Sequence, residues 1–336
     1  MKELKFNAHL FDVSYTLNTT GSSTLSGEMK TYYSDYLLDI ASPLLVHSQF
    51  GQKHPIPKNG GKTIEFRKYA PLAKATTALT EGVTPDGTSL SMSTITATIN
   101  QYGAWVPLTD ILMLTAIDNN LVQATKLLGD QAGRTLDTLT RNEILAGCTN
   151  IQYGDGTKTS DADLAATDKL SIAAIFRAVR TLKKNLAKPI DGSYVAIIHP
   201  DVAYDIMTSD GWIDIQKYSN TTHIYEGEIG KIGGVRFVET TEAAIKVDGA
   251  GSSTAKRDMY VTLVLGADAY GVTEVSGGGL EHIVKQLGSA GTADPLDQRA
   301  TVGWKATHVA KMLVPEYALA IHTVSTFDDG EGNGYT

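Results

Sequence analysis

Cysteine is all but missing from this chain: Cys148 is the single one in 336 residues. That excludes an internal disulfide framework and a thiolate metal cluster, and a lone cysteine of this kind is ordinarily a small buried hydrophobe rather than a nucleophile. Long apolar runs are missing too. No stretch reaches the ~18 consecutive apolar residues of a membrane span, and the charges that interrupt MKELKFNAHLFDVSY leave no secretion signal there. An excess of positive charge is absent: 29 Lys and Arg stand against 37 Asp and Glu, a formal net charge of −8. This balance opposes tight electrostatic binding of nucleic acid, but not a container that holds it loosely. With 42% hydrophobic and 20% charged residues, the expectation is a soluble, folded protein of a reduced compartment, with room for two domains.

The motifs of chemistry fail one by one. NGGKT (Asn59 to Thr63) contains the Gly-Lys-Thr of a phosphate loop, but Ile56 stands where that loop needs its first glycine, and the segment leads into a strand pattern. GEIGKIGGVRF lacks the dinucleotide spacing. DADLAATD, from Asp161 to Asp168, starts like a calcium loop but has Ala166 for the glycine and Ile172 for the closing glutamate. The eight histidines make no close ligand pair, and His199 and His308 lie in apolar strand patterns as satisfied, partly buried rings. No catalytic set, cofactor site or metal site is expected.

The most telling absence is local. The 23 residues 87–109 carry no charged side chain, and eight of them are Ser or Thr. An exposed strand without charge invites edge-to-edge aggregation, so the reading is that another copy of the chain covers this ribbon. Its apolar residues lie on even positions at Leu90 and Met92 and on odd ones at Ile95, Ala97 and Ile99, which predicts a bulge or turn near Ser93 and Thr94.

Around the ribbon the elements read as follows. Residues 1–35 are an arm rich in Thr, Ser and Gly, and a short helix follows before Pro43. GQKHPIPKNGGK is a turn region, and Thr63 to Tyr69 is a strand. Leu121, Ala124, Leu128, Ala132, Leu136 and Leu139 form one stripe of a helix from Asn119 to Ala146 capped by Asp118, with Gly129 and Gly133 placed for close packing. Tyr153 to Lys158 is a hairpin tip, and a helix runs from Asp168 to Ala187. A buried strand at YVAIIHP leads into a helix with Pro200 at its first position. GGVRFVET, MYVTLVLG and AYGVTEV are strands of a mixed block over about 165–285 with its own core. A long strand with Val302, Trp304, Ala306, Ala310 and Met312 on one face runs to Pro315 and pairs with a returning strand, Tyr317 to Ser325, before a frayed acidic tail.

This order of parts resembles the HK97 fold, the subunit fold of tailed-bacteriophage major capsid proteins. LTEGVTPDGTSLSMSTITATINQYGAWVPLTD, LLGDQAGRTLDTLTRNEILAG and ADAYGVTEVSGGGLEHIVKQLGSAGTADPLDQRATVGWKATH are similar to the capsid family typified by N4-like phages, over roughly residues 60–325. The resemblance implies an α+β, HK97-like subunit. Its parts are an N-terminal arm (1–35), an elongated β-hairpin loop (62–106), a spine helix (119–146), an axial α/β domain (165–297), a peripheral domain of 36–61, 107–164 and 298–326, and a flexible tail (327–336). It implies pentamers and hexamers of many copies closing an icosahedral shell around double-stranded DNA contacted weakly and non-specifically. Portal, scaffolding and decoration proteins are further partners on this resemblance, no membrane is involved, and the location is the virion after assembly in the bacterial cytoplasm. Lys74, Glu81, Asp86, Ser93, Thr94, Thr96, Tyr102 and Trp105 are the intersubunit contacts expected of the ribbon. The alternative is an encapsulin, a cage of the same fold that holds cargo enzymes, against which the non-helical LNTTGSSTLSG speaks.

Overall fold

The stripe from Leu121 to Leu139 folds as the long helix its spacing requires, and the rest of the chain is arranged along it. The computed structural model describes residues 45–55, 62–69, 72–79, 81, 82, 84, 86–115, 120–209, 230–252, 255–273, 280–289, 294–328, 330, 332, 333 and 335. The expected arm, most of the helix after it and the Asp118 cap lie outside them. In chain order the strands are β1 (Gln52–His54), β2 (Thr63–Tyr69), β3 (Met92–Thr98), β4 (Asn100–Thr109), β5 (Ile151–Tyr153), β6 (Tyr194–Ile198), β7 (Lys231–Ile232), β8 (Val235–Glu239), β9 (Ile245–Ala250), β10 (Arg257–Leu265), β11 (Tyr270–Thr273), β12 (Leu280–Lys285), β13 (Arg299–His308), β14 (Ala310–Met312) and β15 (Ala318–Thr323). The helices are α1 (Asp110–Thr115), α2 (Asn120–Gly147), α3 (Ile172–Lys184) and α4 (Pro200–Met207).

Helix α2 has 28 residues, about 42 Å at 1.5 Å per residue, and it joins two cores. Its N-terminal half lies under the three-stranded sheet β12-β13-β4. Alternation in β13 sends Ala300, Val302, Trp304 and Ala306 onto Leu128, Ala132 and Leu136, and the Trp304 indole donates to Gln131 Oε1 at 3.3 Å. The C-terminal end of α2, at Ile144, Leu145 and Cys148, packs with Val195, Ile197, Val261, Leu263 and Ala320 on one face of the seven-stranded sheet β5-β15-β10-β6-β8-β7, to which β9 adds through β10. Helices α3 and α4 cover the opposite face, through Ala174, Ile175, Val179, Leu182, Val202 and Ile206. Ser171 accepts the Ala174 N–H at 3.1 Å to cap α3, and His199 with Pro200 opens α4. Cys148 is buried, and burial pushes its thiol above the ordinary range.

Several expectations are corrected. The last long strand does not pair with the returning one: β15 lies between β5 and β10, and all six of its residues are buried. ALAIHT does not alternate apolar with polar, which is the pattern of a strand covered on both faces. The break in the long strand falls at Val309, six residues before Pro315, and β14 joins β11 in a third sheet. That sheet takes β1 as a parallel partner, so residues 52–54 are a strand within the expected turn region. Strands β11 and β12 therefore lie within 165–285 in sequence but pair outside the seven-stranded sheet. Helix α3 runs from Ile172 to Lys184 rather than from Asp168 to Ala187, and Leu186, inside the expected range, is 79% exposed in a left-handed turn past the helix end.

Described residues of the tail are hydrogen-bonded to the rest of the subunit. Asp328 accepts the Asp258 N–H at 3.0 Å, and Gly330 donates to Asp258 Oδ2 at 2.8 Å. Asn333 accepts the Ile245 N–H at 3.0 Å along β9, and its carbonyl accepts from the buried Arg141 of α2 at 3.2 Å. Composition alone gave no sign of this, because each contact uses backbone polarity or a single amide.

Candidate assembly surfaces

Strands β2 and β3 pair without interruption from Thr63↔Thr98 to Tyr69↔Met92. Only the base of this hairpin has a core: Ile64, Phe66, Ala97 and Ile99 pack with Leu313. A Cβ placed on Gly271 would stand 2.4 Å from the Phe66 ring, so a glycine there is what lets that ring seat. Beyond Tyr69 and before Met92, every described residue is exposed. The loop carries Tyr69 at 61%, Leu72 at 56%, Leu79 at 77%, Leu90 at 74% and Met92 at 49% exposure. A two-stranded ribbon is marginal in water by itself, and large apolar side chains in that number along it mark a contact surface.

The expected bulge near Ser93 and Thr94 is absent, since the β2–β3 register is continuous there. The change of face occurs at Ile99, where the chain leaves β2 and pairs with β13 from Asn100↔His308 onward. Buried positions are odd in β3 and even in β4. Leu90 and Met92 broke the pattern because they are exposed, not because the strand turns.

Of the expected contact residues, Lys74, Glu81, Asp86, Ser93, Thr94 and Thr96 are all exposed along the loop. The Ser93 hydroxyl lies 3.5 Å from the Lys68 carbonyl across the hairpin. Trp105, 66% exposed, stands on the outer face of the sheet rather than on the loop. Tyr102 points the other way and packs, partly buried, on the α2 side of that sheet. Trp105 faces Gly303 across the ladder, and Gly303 faces Ile283 on the far strand. A Cβ on Gly303 would meet the Ala104 carbonyl at 2.9 Å, and one on Gly103 the Trp304 carbonyl at 2.6 Å. The two glycines leave a shallow cleft of about 360 Å³ walled by Trp105 and Ile283.

Sequence reasoning missed two features. The first is α1, six residues whose Ile111, Leu112, Met113 and Leu114 are 67%, 44%, 40% and 86% exposed. Four consecutive large apolar residues after an uncharged strand were the available signal. The second is a polar row on the inner side of α2, for which an Asp, a Thr and an Arg inside an apolar stripe were the only sign. Buried Asp137 accepts the His47 backbone N–H at 2.7 Å and lies 2.6 Å from its Nδ1. The Tyr270 hydroxyl donates to the His47 carbonyl. Thr140 donates to the Leu136 carbonyl, so His308 Nε2, 2.9 Å away, must be the donor to the Thr140 oxygen. Arg141, fully buried, donates to the Glu242 carbonyl at 2.7 Å, and Glu242 in turn accepts from Arg134 Nε at 2.7 Å.

His308 makes this row sensitive to acid. Burial pushes its pKa down to about 4, against a smaller opposing pull from Asp137. A ring kept neutral in the fold but free to protonate near 6.5 when unfolded contributes stability above pH 6.5, and that contribution falls as pH drops toward 4. At pH 5 the loss is about 2 kcal/mol. Burial also depresses His199 and His282, in the same direction. Urea unfolding of the subunit at pH 7.5 and pH 5 checks this: a His308→Gln variant is expected to lose about 2 kcal/mol less on acidification than the parent, and equal losses would overturn the assignment.

Residues 92–322 match the family described as phage capsid protein. No curated protein matches the chain. Among solved structures, the capsid of Ralstonia phage GP4 is similar with a TM-score of 0.65 at 19% identity, covering 84% of this chain and 87% of that one. The capsid of cyanophage Pam1 is similar with a TM-score of 0.62 at 13% identity, covering 86% and 93%. The virus-like particle from Pyrococcus furiosus is similar with a TM-score of 0.51 at 12% identity, covering 88% and 99%. At these identities the structures establish a shared subunit fold, of the HK97-like α+β kind. The family match spans the hairpin's return strand, the long helix and the two sheets packed on it, and on it the chain belongs to the phage capsid protein family.

Proposed function

We propose that the chain is the major capsid protein of a tailed phage, assembling as pentamers and hexamers into an icosahedral shell around double-stranded DNA. The observation that carries this is the loop of residues 69–92. It exposes Tyr69, Leu72, Leu79, Leu90 and Met92 on an unsupported ribbon, beside a subunit whose own cores are closed. A folded monomer has no use for that surface, whereas a shell covers it at every copy. On this reading the loop residues Lys74, Glu81, Asp86, Ser93, Thr94 and Thr96, together with Trp105, meet neighbouring copies. The seven-stranded sheet with α3 and α4 is the axial domain, and α2 with β4, β12 and β13 forms the peripheral one. The net charge of −8 suits a container that releases its DNA, because a wall that gripped every phosphate would hinder ejection.

Assembly in the host cytoplasm with separate scaffolding and portal proteins, and decoration of the shell afterwards, complete the reading. Electron microscopy of the chain produced alone and with those partners tests it. Closed shells are expected, and a subunit that stays monomeric under both conditions would refute the proposal. Nucleic acid in the native particle separates a virus from an encapsulin, which would contain a cargo enzyme instead.

A further inference from the structure

The exposed face of α3 is charged with one sign only. Residues 169–190 contain six Lys or Arg and no Asp or Glu, in a chain that is otherwise rich in acid. Arg177, Arg180 and Lys184 fall at steps of three and four, so they lie on one stripe of the helix, and none of them pairs with a described carboxylate at ion-pair distance. Lys183 and Lys184 complement the negative helix end. That leaves Arg177 and Arg180, in the middle of the helix, without a structural task. Both line an open polar cleft of about 460 Å³ between α3 and the edge strand β5, together with Lys158, Asn150, Gln152 and Thr181. Asp155 is held low chiefly by the Thr157 hydroxyl, with Arg177 a lesser cause, and Lys158 of the cleft pairs with Asp168 at 3.7 Å.

The loop shows the reverse pattern. Across the loop of residues 69–92 the charges are Lys74, Glu81 and Asp86, all exposed; past Lys74 the outer part of the loop carries only the two acids. They flank Gly82, whose φ of +80° sets a tight turn with open space around it. We infer that the loop tip of one copy docks on the α3–β5 cleft of another, placing the Glu81 and Asp86 carboxylates against Arg177 and Arg180. The inference rests on the capsid reading and names the counter-surface for the loop. In a closed ring of identical subunits, interfaces are heterologous, so a basic face on one side must meet a different surface of its neighbour. A loop whose outer part carries two acids and no base, and a helix face with only bases, supply that complementarity, and arginine suits paired recognition of carboxylates.

A charge swap decides it, using the full-length chain and reading shell yield by sedimentation and electron microscopy. Glu81→Lys with Asp86→Lys is expected to cut the yield about tenfold or more, because like charges then face each other at every such contact. Arg177→Glu with Arg180→Glu is expected to do the same, and the four changes together to restore shells. Circular dichroism and the melting temperature of each subunit separate an interface effect from misfolding. If either reversed pair alone assembles normally, or the combined variant is no better than the pairs, the docking assignment is wrong. Normal shells whose DNA loading becomes more salt-sensitive in the Arg177→Glu, Arg180→Glu variant would overturn it in favour of nucleic acid as the occupant of this face. A parent chain that forms no shells would instead refute the capsid reading itself.

Discussion

Replacing Asp137 by Ala is expected to lower the melting temperature of the subunit by on the order of 10 °C and to reduce shell yield with it. Asp137 is completely buried in the middle of the long helix, and both of its oxygens serve His47, itself 1% exposed. The substitution leaves the backbone N–H and the ring nitrogen of His47 without partners in a site closed to water. Each such orphan costs about 1–3 kcal/mol, and breaking a buried, hydrogen-bonded pair of this kind costs about 3–5 kcal/mol in total. One kcal/mol moves the midpoint of a large domain by about 2–4 °C. Among the described residues the neighbouring Ser48 hydroxyl does not replace the carboxylate, because it is engaged with Thr140. The loss also spreads: the His47 carbonyl holds the Tyr270 hydroxyl, and Tyr270 belongs to β11. Asp137 thus ties the segment that leads out of residues 1–44 to both the spine and the small sheet. Asp137→Asn keeps the acceptor for the backbone N–H and is expected to lose about half as much. A melting temperature within 2 °C of the parent for Asp137→Ala would show that this pair does not hold the segment.

The parts that were legible in the sequence are those where one physical rule acts alone. The stripe of α2 recurs at three and four residues over about five turns, so no competing period exists, and the helix ends fall within a residue of expectation. Pro200 after a run of buried apolar residues announced both a strand end and a helix start. Strand pairing is a different kind of information. The alternation in β13 told which face is buried, but β15 satisfies its backbone with β10 and β5 from distant parts of the chain. Nothing local to Ala318–Thr323 encodes those partners; only its unbroken burial hints that it lies inside a sheet. The contacts of Asn333 in the tail were hidden for the same reason, since it reaches Arg141, Ile245 and Ala243 across 88 or more positions. For the assembly surfaces, the missing charge of residues 87–109 was the signal the sequence offered. It could not separate Tyr102, turned inward, from Trp105, turned outward, because which parity faces out is set at Ile99, where the strand changes partners.

That change of partners decides how the loop can be removed. Excising residues 73–89 and bridging the hairpin with a short Gly/Ser linker is expected to leave a monomer with the parent's melting temperature and to abolish stable shells. Every described residue in that span is exposed, so its removal takes nothing from a core, and the ladder from Thr63↔Thr98 to Tyr69↔Met92 stays intact. A cut from Thr76 to Gln101 should behave differently. It removes Ala97 and Ile99 from the cluster that covers Ile64, Phe66 and Leu313, and it removes the Asn100↔His308 end of the β4 ladder. Uncovering Phe66 alone exposes a fully buried aromatic ring, a loss of about 3–5 kcal/mol by comparison with truncations of that size. The longer deletion is therefore expected to unfold part of the subunit, and its failure to assemble would be uninformative about contact. The shorter one isolates the seam. Size-exclusion chromatography and electron microscopy read the outcome: shells of parental stability from the chain lacking 73–89 would show that the loop tip is dispensable, and would leave Trp105, Ile283 and α1 as the exposed apolar surfaces to test next.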